Sequence, residues 1–211
     1  MVADWQTISA LATAGGTLVL AVATFTAVRS SNRSARVAER ALLAGMRPVL
    51  VPSLSGDADQ KVVWRDQHVA RLSGGRAIAE HDGSAIYFAI SLRNVGAGLA
   101  LLHGWYPRAS VAYSDTPPAD IDEFRRLTVD LYVAPNGPGY WEGAIRDETE
   151  ALHEEFLRVV TERQPFTIEL LYGDQEGGQR TISRCLVMPA SDGGWFSQIA
   201  HHWNIDRADP R

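Results

Sequence analysis

The strongest constraint on this chain is a run of twenty-one uncharged residues from Ile8 to Val28. A helix of about 20 mostly apolar residues crosses a bilayer core, so this run is long enough to span a membrane once. Five arginines follow within nineteen positions, from Arg29 to Arg47. Because Lys and Arg beside a span stay on the cytoplasmic side, the pattern predicts an inner (plasma) membrane protein. Its N-terminus would face outward and the rest of the chain the cytoplasm.

The run fits two other interpretations less well. A cleaved signal peptide has a positive region before its apolar stretch, whereas Asp4 is the charged side chain that precedes this one. Ala21-Val22-Ala23 nevertheless matches the small-residue pattern of a cleavage site. The core helix of a soluble protein is usually shorter and interrupted by polar residues. We therefore favour a retained span.

Small side chains recur along the predicted span at spacings of four, three, four and three residues. This spacing places them in one stripe on a helix, and small residues let another membrane helix approach closely. The pattern predicts an integral membrane protein as partner, and it suits homo-oligomers and hetero-oligomers equally well. Alanine-rich spans also arise from the compositional bias of high-GC bacterial genomes. The residues of the stripe are Ala10, Ala14, Thr17, Ala21 and Thr24.

The helix is predicted to continue beyond the bilayer, because residues 30–44 contain neither proline nor glycine. Gly45 and Pro48 then provide a normal helix stop. Spacings of four, three and four put four arginines on one face, where guanidinium groups can contact lipid head groups; the alternative is plain solvation. These residues are Arg29, Arg33, Arg36 and Arg40. The predicted domains are 1–46, the span with its helical extension, and 47–211.

Residues 47–211 alternate short apolar, β-rich segments with turn formers. Several short strands with frequent turns are typical of an antiparallel sandwich. The predicted fold class is thus one transmembrane helix followed by a mainly-β domain, an antiparallel Ig-like sandwich with one short helix between Asp147 and Pro165. Residues 55–84 fit only a weak hairpin and a mobile loop. The predicted strands are Pro48–Ser53, Ala85–Arg93, Tyr106–Tyr113, Arg126–Val133, Phe166–Tyr172, Thr181–Met188 and Trp195–Trp203.

Motifs that carry chemistry are mostly missing, so we predict no enzyme, no cofactor and no metal site. Asn94-Val-Gly-Ala-Gly98 lacks the third glycine and the helix of a dinucleotide-binding loop, which favours a glycine turn or bulge. The six histidines form no complete ligand set. Cys185 lies in an apolar segment and is expected to be buried and inert. Tyr140 and Trp141 follow a Pro-Gly pair and are candidates for a protein-contact loop.

Net charge argues against nucleic acid as a partner. Residues 1–47 carry five arginines against Asp4 and Glu39, a balance of +3, and the whole chain is −5, which leaves −8 for residues 48–211. An acidic domain repels phosphate backbones. The single cysteine precludes an internal disulfide and fits a reducing compartment.

Three groups of residues carry a resemblance to known proteins. Leu92–Ala100 resembles the "strand, Asn-x-Gly-x-Gly-x-Ala" pattern of many bacterial Ig-like sandwiches. Arg47-Pro48 after a single span, and Tyr172-Gly-Asp with a later Trp203, are similar to a group of uncharacterised, actinobacterial-type single-pass membrane proteins. The resemblance covers most of the chain and implies the fold above without implying an activity.

These features predict a single-pass accessory or regulatory subunit of a larger membrane assembly, such as a multisubunit transporter. The span would dock through its small-residue stripe, and the soluble domain would contact a cytoplasmic component. The alternative is a membrane-tethered module that binds or senses a soluble ligand or peptide, which a concave pocket with convergent polar groups would favour. An enzyme with an unrecognised site is the third interpretation.

Overall fold

A computed structural model describes residues 2–207 and the side chains of residues 4–207. The ends of the two predicted domains, residue 1 and residues 208–211, lie outside that range. The chain divides into two units between Gly45 and Met46, one residue before the predicted boundary. The elements are α1 Val2–Gly45, β1 Leu50–Pro52, β2 Gln60–Val63, β3 Val69–Leu72, β4 Arg76–Asp82, β5 Ala85–Asn94, β6 Ala100–Arg108, a 3-10 turn Ile121–Glu123, β7 Arg125–Val133, β8 Pro138–Ile145, α2 Ala151–Thr161, β9 Phe166–Gly173, β10 Arg180–Pro189 and β11 Trp195–Asn204.

The N-terminal unit is one long apolar helix. Residues 2–45 contain no proline, and the helix ends at Gly45, as the sequence predicts. Among the described residues, α1 is the helix long and apolar enough to cross a membrane. Its large apolar side chains are exposed, for example Leu11 at 69%, Leu18 at 67% and Phe25 at 65%. Such a surface needs lipid or protein against it in water.

The C-terminal unit consists mainly of a curled antiparallel sheet. Its strands follow the order β1-β5-β4-β11-β10-β9-β6-β7. β4 and β1 pair with successive parts of one edge of β5, and β8 pairs with the opposite edge. The two halves are joined where β11 meets β4 through only two residue pairs, Trp195 with Ala77 and Phe196 with Arg76. The sheet therefore curls at this junction, and its two halves enclose one main core.

Aromatic side chains fill that core. Phe88 of β5, Phe156 of α2 and Phe166 of β9 pack edge to face, with ring centroids 5.3 to 5.5 Å apart. Trp105 of β6 lies 5.2 Å from Trp141 of β8, and both are buried. Edge-to-face pairs add stabilisation beyond the apolar area they bury. α2 covers this core with Phe156 and Val159, as helical spacing in the sequence predicts.

Strand β8 replaces the loop that we predicted around Tyr140 and Trp141. It pairs with β5 over eight residues, from Ile86 with Ile145 to Arg93 with Pro138. Glycines made the segment resemble a loop, but they are required by close packing. A Cβ on Gly143 would lie 2.6 Å from the indole of Trp141.

Residues 55–84 hold more structure than predicted. β2 and β3 form a hairpin of their own, and β4 joins the main sheet. The hairpin brings Val62, Trp64 and Leu72 onto the outer face of β5, where Tyr87 and Ala89 complete a second small core. The indole of Trp64 donates a hydrogen bond to the carbonyl oxygen of Gly143 at 3.1 Å. β5 is thus buried on both faces, which explains its continuous apolar sequence.

The Asn94–Gly98 segment wraps around the first residues of the β domain. The Asn94 side chain donates to the carbonyls of Gly98 at 2.6 Å and Val133 at 3.1 Å, and its oxygen accepts from the amide of Val49 at 3.1 Å. A Cβ on Gly98 would lie 1.8 Å from the carbonyl oxygen of Met46. The glycine turn predicted here is confirmed, and its glycine allows this close backbone approach.

Candidate functional site

The small-residue stripe of α1 forms a shallow hollow. Ala10, Ala14, Thr17 and Ala21 line it, together with Ser9, Thr13 and Leu18, while Thr24 lies one turn further along the same stripe. The threonine hydroxyls donate within the helix, from Thr17 to the carbonyl of Thr13 at 2.8 Å and from Thr24 to that of Leu20 at 2.7 Å. The stripe therefore offers close packing to a partner helix more than hydrogen bonds.

The four arginines of α1 share one exposed face. Arg29, Arg33, Arg36 and Arg40 line a second hollow together with Phe25, Val28, Asn32 and Val37. None of these arginines forms an ion pair with a described residue. Their guanidinium groups are therefore available to anions such as lipid phosphates.

Trp141 lies in a strand and is fully buried, so the prediction that it belongs to a protein-contact loop is wrong. It points into the main core beside Trp105. Tyr140 points to the opposite face of β8 because successive strand residues alternate. There it is half-buried against the second small core, under the β2–β3 hairpin.

The largest irregularity of the β domain lies at His103. The pairing of β6 with both β7 and β9 shifts between Leu102 and Gly104, so His103 is the extra residue of a β-bulge. On the β7 side, Leu102 pairs with Leu131 while Gly104 pairs with Arg126, so β7 detours over residues 127–130. Bulges are frequent beside functional sites because they re-aim side chains and open a sheet.

The detour opens a groove of about 520 Å³ on the outer face of the sheet. Its volume lies within the usual range of ligand pockets, about 300–1,000 Å³. Apolar side chains from four elements (β6, the 3-10 turn, β7 and β9) and from Phe124 line it, and charged side chains of both signs face it. The lining residues are Leu102, His103, Gly104, Ile121, Asp122, Phe124, Arg126, Leu127, Asp130, Leu171 and Arg180.

The charged groups of the groove form no ion pairs with each other or with other described residues. Elsewhere in the domain the arginines are mostly paired, as Arg125 is with Glu150 and Arg108 with Glu169. In the groove, Arg126 and Asp130 of β7 remain open to a ligand. Both of these side chains are exposed to solvent.

His103 is held in its neutral form. Burial lowers its pKa first, and the positive charge of Arg180 lowers it further, against a smaller opposing effect of Asp174. A neutral imidazole can both donate and accept a hydrogen bond. The ring lies over Gly173, where a Cβ would come within 3.1 Å of the His103 Nε2 atom. At neutral pH the groove therefore presents polar atoms on His103 without adding positive charge.

One wall of the groove follows a long loop, residues 109–120. A buried ion pair of the sheet binds this loop. Arg184 and Glu169 are both fully buried and bonded to each other, with Arg184 Nε at 2.9 Å from Glu169 Oε1. The remaining donors of Arg184 bind the loop carbonyls of Tyr113 at 2.6 Å, Thr116 at 2.8 Å and Pro117 at 2.9 Å. All five guanidinium donors are thus satisfied.

Glu169 and Thr167 hold the same loop from the neighbouring strand. The second oxygen of Glu169 accepts from the amide of Ala119 at 2.9 Å. Thr167 accepts from the amide of Ala112 at 3.0 Å and donates to the carbonyl of Ser110 at 2.8 Å. The 3-10 turn Ile121–Glu123 follows directly, and Phe124 comes after it, so these bonds position that wall of the groove.

The cysteine and histidine residues considered in the sequence have clear positions in the structure. Cys185 is buried in the main core and its burial raises the pKa of the thiol to about 12, as expected of an inert cysteine. His201 and His202 are both half-buried in β11. Among residues 4–207, no group of three or more His, Cys, Asp or Glu side chains could hold a metal ion.

Sequence reasoning missed the groove, because its residues come from five separate elements. The one sequence signal was His103 between Leu102 and Gly104, where the apolar alternation of β6 changes phase. The same change of phase hides the first half of β6. The predicted strand, Tyr106–Tyr113, therefore begins six residues later than the observed strand, Ala100–Arg108.

Comparisons with known proteins show a weak likeness to solved structures. No protein family and no curated protein matches the chain. A crystal structure of a protein from Archaeoglobus fulgidus is similar over 63% of this chain and 96% of its own, with 10% identity and a TM-score of 0.26. A likeness at that level carries no argument about fold or function.

Proposed function

We propose that this chain is a single-pass inner-membrane protein that serves as an accessory or regulatory subunit of a larger membrane assembly, such as a multisubunit transporter. One observation carries the proposal. The β domain buries most of its large apolar side chains in two cores, whereas the apolar side chains of α1 between Ile8 and Val28 are all exposed. Twenty-one helical residues at about 1.5 Å each match the roughly 30 Å bilayer core.

The proposal assigns the N-terminus to the outside and the β domain, an Ig-like sandwich, to the cytoplasm. Support comes from the arginines at 29, 33, 36 and 40, which follow the apolar run on one face and form no ion pairs with described residues. Positive residues beside a span remain on the cytoplasmic side. Guanidinium groups at this depth also gain about 1 kcal/mol each near an anionic leaflet.

The orientation predicts the outcome of a fusion experiment. A reporter that is active only in the cytoplasm, fused after Arg211, is expected to be active because the arginines retain that end inside. Protease added outside intact spheroplasts is expected to leave the β domain uncut. Digestion of the domain from outside, or a truncated form free in the medium, would contradict both the span and its orientation.

The docking function predicts that filling the hollow on α1 releases a partner. The double variant Ala14→Leu, Ala21→Leu keeps the span apolar but blocks close helix approach. After mild detergent extraction, we expect about tenfold less of an integral membrane partner to co-purify, equivalent to about 1.4 kcal/mol. The matched control is Phe25→Leu on the neighbouring face, which should retain the partner. The proposal is contradicted if the unmodified protein purifies as a monomer without a membrane partner. It is also contradicted if the same amount of partner co-purifies with both variants.

The groove beside His103 favours a second candidate function, a membrane-tethered module that binds a soluble ligand. Its supporting observation is a concave surface in which Arg126 and Asp130 face one hollow without ion-pair partners among the described residues. The two functions are compatible, since α1 and the groove belong to different units of the chain.

A further inference from the structure

We propose that the β2–β3 hairpin is a pH-sensitive flap on the outer face of β5 and β8. The flap is closed in mildly acidic solution and opens locally more often as the pH rises through neutrality. Two features of the hairpin point to this behaviour: the way in which it is attached, and the carboxyl group of Glu142 that it covers. Both belong to the β domain, so the flap is independent of docking through α1.

The flap is attached to the main sheet by side chains. β2 and β3 pair with each other in a two-stranded sheet of their own, and no ladder among the described strands joins them to the nine-stranded sheet. Near its turn, Trp64 donates to the carbonyl oxygen of Gly143 at 3.1 Å. Asp66 accepts from Tyr87 at 2.9 Å and from Arg146 at 2.7 Å. Proteins open locally in such cooperative units at a lower free energy than global unfolding requires.

Glu142 lies beneath the flap without a hydrogen-bond donor for its charge among the described residues. It pairs with Ala89 of β5 on the face that the hairpin covers, and it is only 4% exposed. A buried carboxylate without donors is much less favourable than the neutral carboxyl group. Burial, and to a smaller degree the Asp66 carboxylate, raises its pKa from 4.5 to about 7 against the positive charge of Arg146. The closed flap therefore prefers the protonated form, and the open flap, which admits water, the ionised form.

The charged and titratable groups that face Glu142 keep one charge state between pH 5 and 8. Burial raises the pKa of Asp66, but hydrogen bonds from Arg146 and Tyr87 outweigh it and bring that pKa to about 2. Burial and the Asp66 charge raise the pKa of Tyr87 to about 12, and burial also raises the pKa of Tyr140. Arginine remains protonated throughout. Glu142 is therefore the group of this set that titrates near neutrality.

One further contact of the flap changes with pH in the same direction. The ring nitrogens of His68, directly before β3, lie 2.8 Å from Glu80 and 3.3 Å from Asp82 of β4. Both contacts are hydrogen bonds only while each nitrogen carries a proton, and imidazoles lose the second proton between about pH 5 and 8. Because the two carboxylates are 44% and 70% exposed, these bonds stabilise the closed flap little. The main effect is that of Glu142.

The number of bound protons sets the direction and the size of the effect. Between pH 4.5 and 7 the closed flap binds more protons than the open flap, so each unit of rising pH favours opening up to about tenfold. From pH 5 to pH 8 the open fraction should increase about hundredfold. Opening uncovers an apolar surface on the main sheet, formed by Tyr87 and Ala89 of β5 and Tyr140 of β8.

Hydrogen exchange followed by mass spectrometry, on the full chain in lipid nanodiscs, measures this opening. At pH 8 we expect the amides of β2 and β3 to be about hundredfold more protected in Glu142→Gln than in the unmodified protein, because the variant has no charge to bury. At pH 5 the two proteins should agree within about fivefold. The exposed Glu148→Gln is the matched control and should behave as the unmodified protein at both pH values. Comparison at a single pH removes the effect of pH on intrinsic exchange.

A second comparison, within one protein, shows that the opening is local. The amides of β9 and β10 belong to the main sheet, so they should be at least about tenfold more protected than those of β2 and β3 at both pH values. Circular dichroism melts at pH 5, where the proteins should agree, show whether Glu142→Gln is folded.

Two results would overturn the flap. Equal protection of the hairpin and of β9 and β10 would show that the hairpin opens only when the whole domain unfolds. Equal protection of the hairpin at pH 8 in the unmodified protein and in folded Glu142→Gln would show that the buried carboxyl group does not control its opening. Neither result bears on docking through α1.

Discussion

Replacing Arg184 by methionine is expected to lower the free energy of unfolding by about 3–5 kcal/mol. Arg184 is fully buried and satisfies the carboxylate of Glu169, also fully buried, as well as three loop carbonyls. The variant would leave Glu169 as a buried charge that retains only Arg108 at 3.3 Å and the amide of Ala119. An uncompensated buried charge is the costliest consequence of such a substitution.

Chemical denaturation of the purified protein in detergent, followed by tryptophan fluorescence, measures this loss. The midpoint should fall with little change in the denaturant slope, since the core that unfolds is the same. Arg158→Met on the exposed face of α2 is the matched control and should change stability by less than about 0.5 kcal/mol. A loss below about 1 kcal/mol for Arg184→Met would show that the loop does not depend on this pair.

A double variant tests whether the pair acts as a unit. Glu169→Leu combined with Arg184→Met removes both charges, so the buried carboxylate no longer stands alone. We expect the double variant to be less destabilised than the sum of the two single variants. Hydrogen exchange should accelerate at the amides of Ala112 and Ala119, because both are bonded to side chains of β9.

The sequence predicts the strands of the β domain best where both faces are covered or where alternation is regular. The continuous apolar run from Ala85 to Leu92 marks β5, which is buried by the main core on one face and the β2–β3 hairpin on the other. The strands predicted at Phe166–Tyr172, Thr181–Met188 and Trp195–Trp203 are observed as β9, β10 and β11, which pair with one another in sequence order. Glycine-rich connections with apolar strands on either side gave a clear local signal.

The elements that were missed depend on contacts distant in sequence. β8 contains Gly139 and Gly143 because Val133 and Trp141 occupy the space of a side chain, and nothing local distinguishes such glycines from those of a loop. The bulge at His103 arises from simultaneous pairing with β7 and β9. The groove likewise requires five segments to meet, so periodicity within one segment could not reveal it.

Glu142 is the other residue whose substitution should have a large effect, and the effect depends on pH. Its side chain lies on the outer face of β8 between Tyr140 and Ala144, beneath the β2–β3 hairpin, and the residue is only 4% exposed. No described residue donates a hydrogen bond to its carboxylate. Burial raises its pKa to about 7, and the Asp66 carboxylate raises it too, against an opposing effect of Arg146.

The direction of the pH effect follows from the difference between the folded and unfolded states. Unfolded, Glu142 loses its proton near its ordinary pKa of 4.5, whereas the folded protein keeps the proton up to about pH 7. Between these values the folded state binds more protons, so stability falls as pH rises, and the loss is complete above pH 7. The loss is about 2–3 kcal/mol, at about 1.4 kcal/mol for each unit between the two pKa values.

Glu142→Gln removes this titration while keeping the shape of the side chain. We expect the variant to be about 2–3 kcal/mol more stable than the unmodified protein near pH 8, and equal to it within about 0.5 kcal/mol near pH 4.5. Denaturation curves at a series of pH values measure the difference, with the exposed Glu148→Gln as the matched control. A difference that is constant with pH would show that the Glu142 carboxylate remains ionised in the folded state. The hairpin would then need to leave it accessible to water.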